Sequence, residues 1–210
     1  MNLAIFGATG QVGKQLVKQA LFNGHHVKAF GRNVFTEFNT EEKNLALIKG
    51  GVFDAGEVLD TIKGCDAVLS ALGGSFDGTD KSRSLGMKNI VTQMQKAGVK
   101  RIVALGGMGI LNFDENTLLI DTEDYPKEYI PVGEEHRKAY EFLKASGLSW
   151  TFVCSPDIIN ADATGEFITN ANYPPDPNKY EINAGDLALF MLDEVSTNNY
   201  VRERVGISAK

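Results

Sequence analysis

Cysteine is scarce in this sequence: only two occur among 210 residues, Cys65 and Cys154, each within an apolar stretch. Two separated cysteines cannot build the disulfide framework of a small secreted domain. Neither has a second thiol or a histidine at metal-ligand spacing, so we expect no structural zinc and no other metal site. The two residues indicate free, buried thiols in a reducing compartment.

Long hydrophobic runs and an excess of positive charge are also absent. No run reaches the roughly 18 apolar residues that a transmembrane helix needs, and residues 1–6 lack the basic and apolar regions of a secretory signal. The chain holds 21 Lys and Arg against 27 Asp and Glu, a net charge of −6. We therefore expect a cytoplasmic protein that binds neither nucleic acid nor a membrane surface.

Short apolar runs alternate with longer segments of helical period along the whole chain. This alternation predicts an α/β fold, a doubly wound parallel sheet with helices on both faces. The predicted strands are residues 3–6, 26–30, 45–49, 67–71, 101–105, 150–154 and 204–207, and the predicted helices are residues 11–22, 56–62, 81–97, 132–145 and 184–195. We expect one domain, residues 1–210, with about seven strands joined by right-handed connections.

Two segments, residues 106–130 and 157–181, do not follow this rhythm. Both are rich in polar residues, glycine or proline, and we expect no strand in either. Each begins just after the carboxyl end of a predicted strand, where open α/β sheets bind their ligands. We therefore expect both to cover the ligand crevice on its substrate side.

The sharpest motif is Gly7-Ala8-Thr9-Gly10-Gln11-Val12-Gly13, which follows the first predicted strand and opens the first helix. Gly7 permits the tight turn, Gly10 lets the backbone approach a pyrophosphate, and Gly13 lets the helix pack closely on the strand. The N–H groups and dipole of the helix would attract the phosphates. The motif predicts a dinucleotide site of the Rossmann type; a plain strand–helix turn is the alternative.

The residues after the second predicted strand bear on which nicotinamide cofactor binds. An acidic residue there would hold the ribose hydroxyls of NAD, but the sequence reads Phe30-Gly31-Arg32-Asn33. The charged, forked side chain of Arg32 suits a 2′-phosphate, with Asn33 beside it. We therefore expect NADPH (NADP); the alternative is that Arg32 is a solvated loop residue.

With these residues placed, the chain resembles the atypical short-chain dehydrogenase/reductases, specifically the NAD(P)H-binding proteins related to NmrA-like regulators and to flavin reductase/biliverdin-IXβ reductase. The likeness runs the full length. Besides the glycine motif it rests on Val27–Arg32, Asp66–Leu69, Lys88–Val91, Gly98–Val103, Ser146–Leu148, Thr151–Ile159 and Asp186–Ala188.

The resemblance implies further cofactor contacts at the ends of two strands. Ala71, Leu72 and Gly73 would lie near the adenine, and Ser155 and Pro156 near the nicotinamide. Relatives commonly carry an acid near the adenine after the third strand, where this chain has Gly51. That contact is not carried over, and Asp54 is at best a nearby substitute.

Many short-chain enzymes use a Ser with Tyr-x-x-x-Lys as proton donor and ribose contact. In this sequence the serine position reads Gly106-Gly107, and alignment on Ser146-Gly147-Leu148 brings Val132 to the tyrosine position and His136 to the lysine position. His136, with an ordinary pKa near 6.5, could hydrogen-bond a ribose or donate a proton, or be a satisfied core residue. Tyr140 and Lys144 match the Tyr-x-x-x-Lys pattern literally, but they lie one helical turn after the position of the motif. We therefore interpret both as structural residues.

These residues favour an NADPH-dependent reductase that passes hydride to a planar conjugated acceptor such as a flavin, quinone or tetrapyrrole-like molecule. Such acceptors need little acid catalysis, so the main task is positioning. Candidate substrate contacts are Gly107, Met108, Asp157 and Tyr173. The glycines of residues 106–109 would admit a nearby ring or serve as a hinge, two readings that stay open.

Two other functions remain open from the sequence. A cofactor-binding redox sensor without turnover, which reports through a protein partner, accounts for the same missing residues. An epimerase or dehydratase for sugar nucleotides fits less well, since those relatives generally need Tyr-x-x-x-Lys in register.

Overall fold

The computed structural model describes residues 1–38 and 41–210 and shows a single α/β domain built on a mostly parallel sheet. The strands are β1 (Asn2–Phe6), β2 (His26–Gly31), β3 (Leu45–Lys49), β4 (Ala67–Ser70), β5 (Arg101–Gly107), β6 (Ser149–Ser155), β7 (Asp157–Ile159), β8 (Phe167–Ala171), β9 (Glu181–Asn183) and β10 (Glu203–Ala209). The helices are α1 (Gln11–Phe22), α2 (Val34–Glu37), α3 (Ala55–Ile62), α4 (Met87–Ala97), α5 (Ile130–Lys144) and α6 (Ala184–Thr197).

The main sheet has eight strands in the order β3-β2-β1-β4-β5-β6-β10-β8. The order reverses between β1 and β4, because β1 runs on to β2 and β3 at one side while β4, β5 and β6 extend to the other. Such a reversal opens a crevice at the carboxyl ends of the strands. The doubly wound architecture expected from the sequence is confirmed.

The helices cover both faces of the sheet, and alternate residues of the central strands enter separate cores. Leu3 and Ile5 of β1 pack with α1 and α6, while Phe6 packs with α3 and α4 on the other face. All three side chains are fully buried. Burial on both faces explains why these strands read as nearly continuous apolar runs.

The expectation that residues 157–181 hold no strand is wrong. β7, β8 and the first residue of β9 lie there. β8 pairs antiparallel with β10 at the edge of the main sheet, which therefore has eight strands instead of about seven. An edge strand buries only part of its side chains, so its sequence can stay polar, and all five residues of β8 keep some exposure. β7 and β9 form a separate parallel pair.

The helix predicted over residues 81–97 has an irregular start. Residues Ser82–Gly86 form a single π-helical turn before α4 begins at Met87. Such π-turns widen a helix locally and re-aim its side chains. α4 ends as predicted, at Gly98 in the left-handed conformation.

None of the helices within residues 1–38 and 41–210 is long and apolar enough to cross a membrane. In the same residues, no group of three or more His, Cys, Asp or Glu side chains is arranged to hold a metal ion. Cys65 and Cys154 are free and buried, and burial raises the pKa of Cys154 to about 12.

A buried ion pair joins β5 to α6. The Arg101 guanidinium lies 2.9 Å from the Glu194 carboxylate, and both side chains are almost fully buried. The same carboxylate accepts hydrogen bonds from the backbone N–H groups of Asn199 and Tyr200 and from the Thr151 hydroxyl. Glu194 therefore fixes the turn that leads into β10.

Replacement of Glu194 by alanine should be strongly destabilising, because it leaves a buried guanidinium and several donors without an acceptor. We expect a loss of about 3–5 kcal/mol in the free energy of unfolding. Urea denaturation at pH 7 measures it. Asp60→Ala, which removes the exposed ion pair of Asp60 with Lys63, is the matched control and should cost at most about 1 kcal/mol. Equal losses in the two variants would contradict this role for Glu194.

Candidate functional site

A cleft of about 1400 Å³ lies at the carboxyl ends of the parallel strands. Its walls come from the loops that follow β1, β2, β3, β4, β5 and β6 and from parts of residues 106–130 and 157–181. Cofactor or ligand pockets commonly measure about 300–1000 Å³, so this cleft has room for a large ligand and a second molecule.

The glycine turn forms the floor of the cleft between β1 and α1. Gly7 has a φ of +74°, and a Cβ there would lie 2.4 Å from the carbonyl oxygen of Ala71. A Cβ on Gly13 would lie 2.1 Å from the carbonyl oxygen of Gly7. Real Cβ atoms do not approach so closely, so only glycine fits at either position.

Of the seven residues of the motif, five line the cleft, namely Gly7, Thr9, Gly10, Gln11 and Val12. Ala8 and Gly13 instead lie buried beneath it. Gly13 thereby serves helix–strand packing, whereas Ala8, expected as a cofactor contact, belongs to the core of the α1 side.

The N-terminus of α1 is suited to an anion. Its N-cap is Gly10, which supplies no side-chain cap, and its first turn carries no acid. A Cβ on Gly10 would meet only the Gly7 carbonyl oxygen, at 3.4 Å, so the space above it is open. The free N–H groups of the first turn and the helix dipole fit the pyrophosphate of a dinucleotide.

Two arginines lie together at the β2 side of the cleft. Arg32 lines it just after β2, and Arg83 reaches it from the π-helical turn. Asp80 lies near both: hydrogen bonds from Ser82, followed by the charges of Arg83 and Arg32, hold the pKa of that carboxyl below its usual range. We call these three residues the basic end of the cleft.

Arg83 was not singled out in the sequence, where it reads as one more basic residue of a helix. The π-helical turn directs it inward, where its guanidinium donates to the carbonyl oxygens of Ser75 at 3.0 Å and Gly74 at 3.1 Å. It also stands 5.8 Å from the centre of the Phe76 ring. Arg83 therefore holds the loop after β4 against the cleft.

Two polar residues expected at or near the cofactor do not line the cleft in the described part of the chain. Asn33, expected beside the cofactor, occupies the N-cap position of α2 without a side-chain cap hydrogen bond. Asp54 caps α3, where its carboxylate accepts from the Glu57 N–H at 2.9 Å. Ala71, Leu72 and Gly73 line the cleft just after β4, and their contact with the adenine stays a prediction.

The glycines of residues 106–109 are required by packing within the protein, an explanation different from both room for a ligand ring and a hinge. A Cβ on Gly106 would lie 2.3 Å from the Phe152 ring, and one on Gly107 would lie 2.8 Å from the His136 ring. A Cβ on Gly109 would lie 2.5 Å from the Tyr125 hydroxyl. Gly106 therefore makes room for a core side chain, whereas Gly107 and Gly109 admit His136 and Tyr125 to the wall of the cleft.

His136 lines the cleft from α5 and is partly buried. Its Nδ1 is buried and has no hydrogen-bond partner in the described part of the chain. Burial, assisted by the charge of Arg83, lowers the pKa of His136 to about 3. The expectation of an ordinary pKa is therefore wrong, and at neutral pH the ring offers one N–H and one free lone pair instead of a charged acid.

The preceding residue, Glu135, anchors α5 to the π-helical turn. Its buried carboxylate accepts from the Ser84 hydroxyl and pairs with Lys81 and Lys138, each at 2.9 Å. Burial alone would raise the pKa of Glu135, but these hydrogen bonds outweigh it and lower the pKa to about 2. This network holds the segment that carries His136 against the segment that carries Arg83.

Tyr140 and Lys144, the literal match to the short-chain motif, point elsewhere. The Tyr140 ring packs edge-on to Trp150 with centroids 5.7 Å apart, and Arg204 lies 5.1 Å from its centre. Lys144 lies over the same ring. Neither residue is among the described residues that line the cleft, which supports the structural interpretation.

The residues proposed for the substrate side divide between two cavities. Gly107, Met108, Ser155, Pro156 and Asp157 line the main cleft. Tyr173 lines a neighbouring groove of about 510 Å³ instead, so its expected place in the main cleft is wrong. The two cavities adjoin, since both are lined by Phe113, Leu119, Pro174 and Tyr180.

Several aromatic residues of the cleft were not predicted as site residues. Tyr125 and Tyr129 line it from residues 106–130, and Tyr180 from the loop before β9. Burial raises the pKa of Tyr125, which therefore stays protonated. The only sequence signal for Tyr125 is the pair of glycines that face its hydroxyl, Gly109 and Gly133.

Comparison with known proteins agrees with this geometry. A family model described as "NAD(P)H-binding" matches residues 7–198. The protein YwnB of Bacillus subtilis, described as uncharacterized, is 28% identical over 97% of this chain and 96% of its own length. Some other relatives are longer, and the chain aligns with 44% of the length of two of them.

Two solved structures match over nearly their entire length. A Streptococcus pneumoniae protein described as a "putative NADH-flavin reductase" superposes with a TM-score of 0.85 and 29% identity, over 100% of both chains. A Burkholderia pseudomallei protein described as a "putative exported protein" gives a TM-score of 0.83 and 31% identity, over 99% of both chains. With the family model covering most of the sequence, the chain belongs to the NAD(P)H-binding family, of atypical short-chain dehydrogenase/reductase type.

Proposed function

We propose that this protein is an NADPH-dependent reductase of planar, conjugated acceptors such as flavins or quinones. The observation that carries the proposal is the form of the cleft. It joins an uncapped helix N-terminus and two arginines at one side to a wall of glycines and aromatic rings at the other. The first part fits the phosphates of a dinucleotide, and the second fits a flat ring.

The cofactor would supply two electrons and one proton, as hydride from the nicotinamide to the acceptor ring, while solvent supplies the second proton. The residues of this chain would position the two rings. The first turn of α1 would hold the pyrophosphate, and Ser155 and Pro156 would flank the nicotinamide. Neutral His136 would donate or accept one hydrogen bond. An isolated ketone needs a stronger acid than these groups provide, whereas a conjugated ring spreads the added charge.

The direct test is NADPH oxidation, followed at 340 nm, against a panel of flavins, quinones and linear tetrapyrroles. Cofactor binding is measured in parallel by fluorescence titration. Turnover with a ring acceptor supports the proposal. Tight NADPH binding without oxidation of NADPH by any acceptor would refute it and favour a redox sensor with a protein partner.

Arg32→Ala should weaken NADPH binding and leave NADH binding nearly unchanged, because only NADPH carries the 2′-phosphate that Arg32 would contact. We expect the NADPH dissociation constant to rise by roughly 10- to 100-fold, the worth of a charge-assisted hydrogen bond. Fluorescence titration of both cofactors measures it. Arg202→Ala, which removes a positive charge outside the cleft, is the control. Equal losses for both cofactors would contradict the assignment.

His136→Ala should lower kcat by about tenfold, the worth of one hydrogen bond, and change the KM for NADPH by less than about threefold. Because the pKa of His136 is about 3, the wild-type kcat should show no step from this group between pH 5.5 and 8. Steady-state kinetics across that range measures both effects. Tyr140→Phe, which alters the competing candidate outside the cleft, should leave kcat unchanged. A slower Tyr140→Phe enzyme with a normal His136→Ala enzyme would reverse the assignment.

A further inference from the structure

The charges that line the cleft are unevenly distributed, and Asp80 is the one carboxylate among the described lining residues that lies beside the two arginines. All the arginines and lysines among its described lining residues lie at the basic end, as Arg32 and Arg83. The opposite side, which residues 106–130 and the start of β7 supply, carries five carboxylates: Asp114, Asp121, Glu123, Asp124 and Asp157. We call these five residues the acidic end.

Few cations pair with the carboxylates of the acidic end. Backbone N–H groups of Asn116 and Thr117 donate to Asp114 and keep its pKa below the usual range. Asp121 is paired with Arg137, whose side chain is not part of the lining. Glu123 and Asp124 are exposed and make no hydrogen bond or ion pair with any described residue. Within residues 1–38 and 41–210, Arg137 is the one cation that forms an ion pair with the acidic end.

His136 adds no positive charge to this side, because its low pKa leaves the imidazole neutral. An anionic group on the second molecule would thus meet the carboxylates of the acidic end, and Arg83 of the basic end is the one described lining cation whose charge is felt at His136. Charges of one sign on the wall of a cleft focus their electric field. This field changes the association rates of charged ligands by about tenfold or more.

We propose that the acidic end makes the cleft selective for uncharged or cationic ring acceptors over acceptors that carry phosphate, carboxylate or sulfonate groups. The inference rests on the proposed reductase function and narrows its substrate class. It disfavours linear tetrapyrroles with propionates and flavins with a phosphate, and it favours riboflavin-like and neutral quinone-like rings. In this proposal the carboxylates of the acidic end bind no ligand, and they act by repelling anionic acceptors.

Two acceptor pairs test the proposal, because each pair shares a ring and differs in charge. They are riboflavin with FMN, and a neutral naphthoquinone with its sulfonated analogue. We expect kcat/KM to favour the neutral member of each productive pair. The double variant Glu123→Lys/Asp124→Lys should raise kcat/KM for the anionic member by about tenfold and change the neutral member little. The gain should shrink at 0.5 M salt, where surface charges are screened.

The matched control is Glu42→Lys/Asp193→Lys, which makes the same change in net charge at two exposed positions outside the cleft. It should leave the neutral-to-anionic ratio unchanged. A ratio that stays within twofold of wild type in the Glu123/Asp124 variant, or that moves equally in the control, would overturn the inference while the reductase function stands. Absence of NADPH oxidation with every acceptor would overturn both.

Discussion

The close approach of two backbones at the turn from β1 into α1 is the constraint on which the site depends. Gly7 passes beneath the Ala71 carbonyl at the end of β4, and Gly13 passes over the carbonyl of Gly7. No side chain fits in either contact. This packing sets the N-terminus of α1 at the point where the strand order reverses, so that unpaired N–H groups face the crevice. The cleft therefore has an anion-binding floor before any side chain contributes to it.

The wall opposite the floor is organised by α5, on which neighbouring residues have opposite electrostatic environments. Glu135 points into a cluster of donors that stabilises its charge, whereas His136 is desolvated and stays neutral. The first residue anchors the helix to the π-helical turn of Arg83, and the second lines the cleft. Two consecutive residues of α5 thus have different roles, because Glu135 anchors the helix and His136 lines the cleft.

The sequence was sufficient where local geometry determines the structure and insufficient where tertiary contacts do. The turn at Gly7 and the buried strand β1 could be read because backbone sterics and two-sided burial leave a clear pattern. β8 was missed because an edge strand needs little apolar surface. Arg83 was missed because its direction comes from a π-turn that spacing does not reveal. Tyr173 was misplaced because only the fold decides which face of a loop meets the cleft.

Within the proposed function, the weak acids of the cleft and its negative charge favour the same kind of chemistry. Reduction of an isolated ketone concentrates negative charge on one oxygen, which requires a proton donor or a fixed cation beside it. His136 is neutral, Tyr125 holds its proton more firmly than an exposed tyrosine, and the carboxylates of the acidic end would repel the new charge. A conjugated ring avoids this penalty because it spreads the charge over several atoms and can take its second proton from water. The field that discourages anionic acceptors therefore also discourages any reduction that leaves charge on a single atom.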